Sequence, residues 1–167
     1  GAGPGLATWR VSDEPGEERT YAAQLGAPER LIADGEVVTP PVLYGATRAV
    51  VATQRPASNG RTRLSIVFGR ANGTFNNRRT IAVRAGIRSV QLAANANGDI
   101  ALACFEDRGV RNDRVYIAFR PRGKPFTPPI LQATDRVRSV SIAVSPRAAL
   151  LLAYDARGIV KTRFKPA

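Results

Sequence analysis

Arg88-Ser89-Val90-Gln91-Leu92-Ala93 and Arg138-Ser139-Val140-Ser141-Ile142-Ala143 match at an offset of 50 residues, and working outward from that match decides the fold. Downstream, Ile100-Ala101-Leu102-Ala103 meets Leu150-Leu151-Leu152-Ala153. Upstream, with a shift of about one residue, Ala49-Val50-Val51-Ala52 takes the same place, and Leu6-Ala7-Thr8-Trp9 fits it too. Ala7, Ala52, Ala103 and Ala153 form one column; Phe68, Phe119 and Phe164 form a second. A turn and another aromatic follow at Phe75 and Phe126, then a short strand around Leu31, Ile81 or Leu131. Helical periodicity is nearly absent, and Gly, Pro, Asn and Asp punctuate the chain at strand-length intervals.

Each full unit therefore holds four short strands, read in the third as Val90 to Ala94, Ile100 to Phe105, Arg114 to Arg120 and Ile130 to Ala133. Four antiparallel strands in about 40–50 residues, repeated, predict an all-β fold of β-propeller blades. The boundaries fall at 5–36 (partial), 37–86, 87–136 and 137–167 (partial), about 14 strands in a single propeller segment. The first two strands of a unit are almost continuously apolar, so both faces should be buried between neighbouring sheets. Two complete and two partial blades leave open edges. The expected partner is another copy of the chain or the remainder of a larger propeller. A chain with no methionine, even at position 1, fits processing or excision from something longer.

Asn95-Ala96-Asn97-Gly98-Asp99-Ile100-Ala101-Leu102-Ala103 and Phe119-Arg120-Pro121-Arg122-Gly123-Lys124-Pro125-Phe126 resemble the repeats of secreted actinobacterial β-propeller proteins, within the sialidase-like (BNR-type) propeller superfamily in its broad sense. The likeness is strongest from Ile87 to Pro166. It departs from the pattern at the tryptophan, kept only as Trp9, and at Arg147-Ala148-Ala149, where Gly-Asp is lost. The resemblance implies fold and a secreted or cell-surface location, not an activity.

Composition removes several chemistries. Histidine is absent, which excludes imidazole base catalysis, Ser-His-Asp and Cys-His nucleophiles, and histidine-ligated zinc. Cys104 is the only cysteine, so there is no intrachain disulfide, and its inner-strand position suits a small buried hydrophobe. Asn97-Gly98-Asp99 reads as a turn and has too few carboxylates for a calcium loop. The carboxylate pairs Asp13-Glu14, Glu17-Glu18 and Glu106-Asp107 read as solvated ion pairs in arginine-containing loops, and the four tyrosines as core. No apolar run approaches a membrane span. No catalytic residue, metal or cofactor is expected.

Charge is the remaining signal. The net charge is +12, and all 25 basic residues except Lys124, Lys161 and Lys165 are arginine. A GC-rich genome alone explains arginine, alanine and glycine usage; a polyanion partner is the alternative. Dividing loops between the two ends of the strands puts Arg30, Arg48, Arg70, Arg78, Arg79, Arg120, Arg122, Lys124, Arg147 and Lys165 on one face. Only Glu29 and Asp99 oppose them there. Arg70, Arg78, Arg79, Arg120, Arg122, Lys124 and Lys165 are the expected polyanion contacts. The sequence thus suggests a non-enzymatic binding or scaffold module for an anionic glycan, wall polymer or nucleic acid. The alternatives are a fragment of a glycan-active enzyme whose site lies elsewhere, or a carbohydrate-binding lectin. Sparse aromatics count against the lectin and against RNA binding by base stacking.

Overall fold

A computed structural model describes the backbone of residues 6–14, 17–24, 30–34 and 36–37, and residues 39–45, 47–109 and 112–167 with their side chains. The chain is all-β, and no helix occurs among the described residues. Its strands form four open antiparallel sheets in chain order. The first joins β1 (Leu6–Glu14), β2 (Glu17–Gln24) and β3 (Arg30–Asp34). The second joins β4 (Glu36–Val37) and β5 (Val42–Tyr44) to β6 (Arg48–Pro56), then β7 (Thr62–Arg70) and β8 (Phe75–Arg84). The third runs β9 (Ile87–Ala94), β10 (Ile100–Glu106), β11 (Asp113–Arg120), β12 (Ile130–Asp135). The fourth runs β13 (Val137–Val144), β14 (Leu150–Ala156), β15 (Ile159–Lys165).

Among the described residues, fifteen strands replace the expected 14 because one is cut in two. β4 and β5 pair the same strand, Val37 against Thr53 and Val42 against Val50. Between them stand Pro40 and Pro41, which have no N–H to give a ladder. The Ala52 N–H at that gap donates instead to the Thr39 hydroxyl at 3.0 Å. Thr39 is buried, so its hydroxyl satisfies a donor that would otherwise lie unpaired in the core.

Strand alternation explains the layering. Every residue of β10 is buried, although a strand with one wet face would alternate. Ile100, Leu102 and Cys104 join Val90 and Tyr116 against the second sheet's Val50, Ala52, Leu64 and Ile66. Ala101, Ala103 and Phe105, on the other face, join Val115 and Ile117 against Val140, Leu150 and Leu152 of the fourth sheet. Fully burying Ile100, Leu102 or Leu152 contributes roughly 1.5–3 kcal/mol each. Alanines at 101 and 103 let the third and fourth sheets approach closely. The outward face of the fourth sheet is open: Leu151, Val160 and Phe164 are exposed, as is every residue of β15.

Polar side chains tie adjacent sheets together. A bulge in β9 sets Ser89 and Val90 opposite Cys104 alone, because Gln91 pairs Ala103 and Arg88 pairs Phe105. Ser89 takes φ +47° there, and its hydroxyl accepts from the Val140 N–H of β13 at 3.3 Å. At the same end of the strands, the Asp113 carboxylate accepts from Val137 N–H at 2.8 Å and from Arg108 N–H at 3.0 Å.

Glu106 departs from its expected solvated place. Its side chain is 5% exposed, with Arg108 at 3.2 Å and Arg84 at 3.9 Å, and it accepts from the Tyr116 hydroxyl at 3.3 Å. The Arg84 guanidinium lies 4.2 Å from the centre of the Tyr116 ring and donates to its oxygen at 3.2 Å. An arginine from β8 thus reaches across a sheet boundary to a carboxylate that sequence alone places in a loop. Asp107 beside it is exposed. The pairs at 13–14 and 17–18 lie outside the residues described with side chains.

Candidate functional site

Where the second and third sheets part, near the turns after β7 and β11, they leave a groove of about 1200 Å³. It is built from the bottom by a glycine. A Cβ at Gly69 would collide with the Thr74 carbonyl and the Phe75 ring, so only glycine lets the turn fold back this tightly. The turn is then closed by Arg70 N–H to Thr74 O at 2.8 Å and Gly73 N–H to Arg70 O at 3.0 Å. The Ala71 N–H donates to Thr47 O at 2.9 Å and draws in the turn before β6. As a result Arg48 and Arg70 are direct partners across the β6–β7 ladder. Like charges facing each other in a ladder cost stability, so the fold keeps this pair at a loss.

The other wall is the turn after β11. Lys124 N–H donates to Pro121 O at 3.0 Å, and Thr127 closes the base by exchanging bonds with Phe119 at 2.7 and 3.0 Å. From this wall Arg120 crosses the groove, its guanidinium 4.9 Å from the centre of the Phe68 ring. Phe68 in turn meets Phe126 at 6.3 Å between ring centres, tilted by 40°. A cation held on a ring face keeps its N–H fork oriented and loses less rotamer freedom on meeting an anion.

Arg48, Arg70, Arg79, Arg120 and Lys124 line the groove, and among the described residues no Asp or Glu does. Among the described residues, carboxylates pair instead with Arg84, Arg108, Arg157 and Lys161, all outside it. Asp99, which shares this end of the strands, is buried and internally bonded. One oxygen accepts from Arg122 N–H at 2.9 Å and the other from the Asn95 amide at 2.8 Å.

Of the seven expected contacts, Arg70, Arg79, Arg120 and Lys124 meet here. Arg78 stands between Asn77 and Arg79 on β8 but is not part of the lining. The side chain of Arg122 also stays outside the groove. Lys165 lines a different cleft of about 330 Å³ between the third and fourth sheets, where Phe119, Leu150 and Phe164 also lie. The groove adds Arg48 to the expected contacts, together with the amides of Asn76 and Asn77. The pairing of the Arg48 strand end with that of Arg70 could have flagged the arginine; nothing local marks the asparagines.

Other reactive side chains are enclosed. Burial pushes the Cys104 thiol up to about 12, with Arg84 lowering it and Glu106 raising it further. Tyr44, Tyr116 and Tyr154 are buried. Among the described residues no three His, Cys, Asp or Glu side chains gather as a metal site, and no helix is long and apolar enough to cross a membrane. No protein-family model matches this sequence, and no curated protein matches it significantly.

Proposed function

We propose that this chain is a non-enzymatic, secreted β-propeller segment that binds a polyanion in the groove between its second and third sheets. The observation that carries the proposal is the lining: five cations and, among the described residues, no carboxylate around one concave space. One-signed charge between low-dielectric walls focuses its field outward and attracts anions. The blade reading draws support from sheets laid down in chain order and from ladders that correspond. Ala52 faces Ile66, Ala103 faces Ile117 and Ala153 faces Thr162. The bare edge of β15 and the open face beneath Leu151 and Phe164 are the surfaces a further sheet would cover, from a second copy or from the rest of a larger propeller.

The test compares two charge reversals of equal size on a heparin column and against a labelled oligonucleotide. Arg48, Arg79 and Lys124 changed to Glu should abolish retention at moderate salt. Arg61, Arg88 and Arg136 changed to Glu should reduce it slightly; all six are exposed, and the second three lie outside the groove. Equal losses would mean that bulk charge alone is sensed, and the proposal would fall.

A further inference from the structure

Resting on that reading, we infer that the polyanion is an acidic polysaccharide, a chain whose carboxylates or sulfates alternate with free hydroxyls, rather than a nucleic acid. Two features of the groove separate these ligands. The first concerns its rings. Single-stranded nucleic acid gains much of its affinity by stacking bases on open aromatic faces. Here Phe68 is capped by the Arg120 guanidinium and crowded by the tilted Phe126 ring, while Tyr44 and Phe75 are buried. Among the described lining residues, the Phe68 ring that faces the cations is therefore taken and not free for a base.

The second feature is what stands between the cations. Asn76 and Asn77, both exposed on β8, reach the lining together with the exposed hydroxyls of Thr47 and Thr80. A phosphate string offers only acceptors, for which the arginine forks suffice. Amides and hydroxyls both donate and accept, which matches sugar hydroxyls and is redundant for phosphate. Cations spaced by such groups correspond to a polymer with charged and hydroxylated positions in alternation.

Calorimetric titrations of the whole chain test this with four probes: an oligouronate, a sulfated dextran, inorganic polyphosphate and oligothymidylate, on the native protein and on Asn76→Ala/Asn77→Ala. One of the two sugar polymers should bind at least about tenfold more tightly than oligothymidylate; which one identifies the acid group as carboxylate or sulfate. The double variant keeps every charge and alters only exposed positions. It should weaken that sugar polymer about tenfold, the expected size for two lost hydrogen bonds, and polyphosphate less than about twofold. Equal losses on sugar polymer and polyphosphate, or oligothymidylate as the best ligand, overturn the polysaccharide assignment while leaving polyanion binding intact. Failure of all four probes to bind overturns both.

Discussion

The side-chain amide of Asn95 donates a 2.8 Å hydrogen bond to the backbone carbonyl of Ser145, in the corresponding turn of the next sheet. The same nitrogen donates to Asp99 Oδ2 at 2.8 Å, and Asn95 Oδ1 accepts from Asp99 N–H at 3.0 Å. One buried amide therefore closes its own turn and fixes the position of its neighbour.

Removing that amide should cost more than an ordinary turn substitution. Asn95→Ala strips three hydrogen bonds from a buried site and is expected to lower the stability in urea by about 2–3 kcal/mol. Asn97→Ala removes one exposed bond, to Pro146 O at 2.8 Å, and should cost less than about 1 kcal/mol. Comparable losses in the two variants would show that the buried amide adds nothing beyond one exposed cross-sheet bond.

Ala148 occupies a left-handed conformation, φ +64°, at the place where Gly98 has φ +96° in the preceding sheet. Alanine is strained there and glycine is not. Ala148→Gly is expected to stabilise the chain by roughly 0.5–1 kcal/mol after its entropic cost in the unfolded state. An unchanged or lower denaturation midpoint would contradict the strain.

Asp135 sets an acid-sensitive link between the third and fourth sheets. Its carboxylate is held below its ordinary range chiefly by the hydrogen bond from Lys161 Nζ at 2.6 Å, then by the Arg136 N–H and the charges of Lys161 and Arg157. A folded-state value below the unfolded one means the contribution is complete above the unfolded value of about 4 and disappears as pH falls through the depressed one. Stability profiles of the native chain and of Asp135→Asn should therefore converge below that range and separate above it. Parallel profiles would remove Asp135 from the acid response.

Cys104 should report unfolding. Its side chain is buried, and with its thiol near 12, about one molecule in ten thousand carries the thiolate at pH 8. Labelling by a disulfide reagent should be slow in buffer and rise in step with the loss of β-sheet signal across a urea titration. Fast labelling of the folded chain would place the thiol at the surface.

The layering was legible because it rests on composition at fixed spacing: alanines at 52 and 103 are fully buried, as their column predicts. Ala153, in the same column, is only half-buried, because the far face of its sheet has no cover. Contacts made at a distance were not legible. Nothing near Glu106 announces Arg84, 22 residues earlier on another sheet, and nothing in Pro40-Pro41 shows that Thr39 will mend the gap. The groove was half-legible for the same reason. Counting charge at strand ends finds Arg70, Arg79, Arg120 and Lys124, but which neighbours turn away, as Arg78 and Arg122 do, depends on the register of β8 and the shape of a turn.

Because every ladder joins strands close in sequence, a sheet needs nothing downstream to pair its own strands. During synthesis the chain can finish one sheet before the next leaves the ribosome. The third sheet's Ala101, Phe105 and Ile117 then stand bare until residues 137–167 emerge to cover them. At about 5–20 residues per second that wait lasts a few seconds. In that interval the bare sheet adds to the surfaces at which the chain is exposed to aggregation and to capture by chaperones.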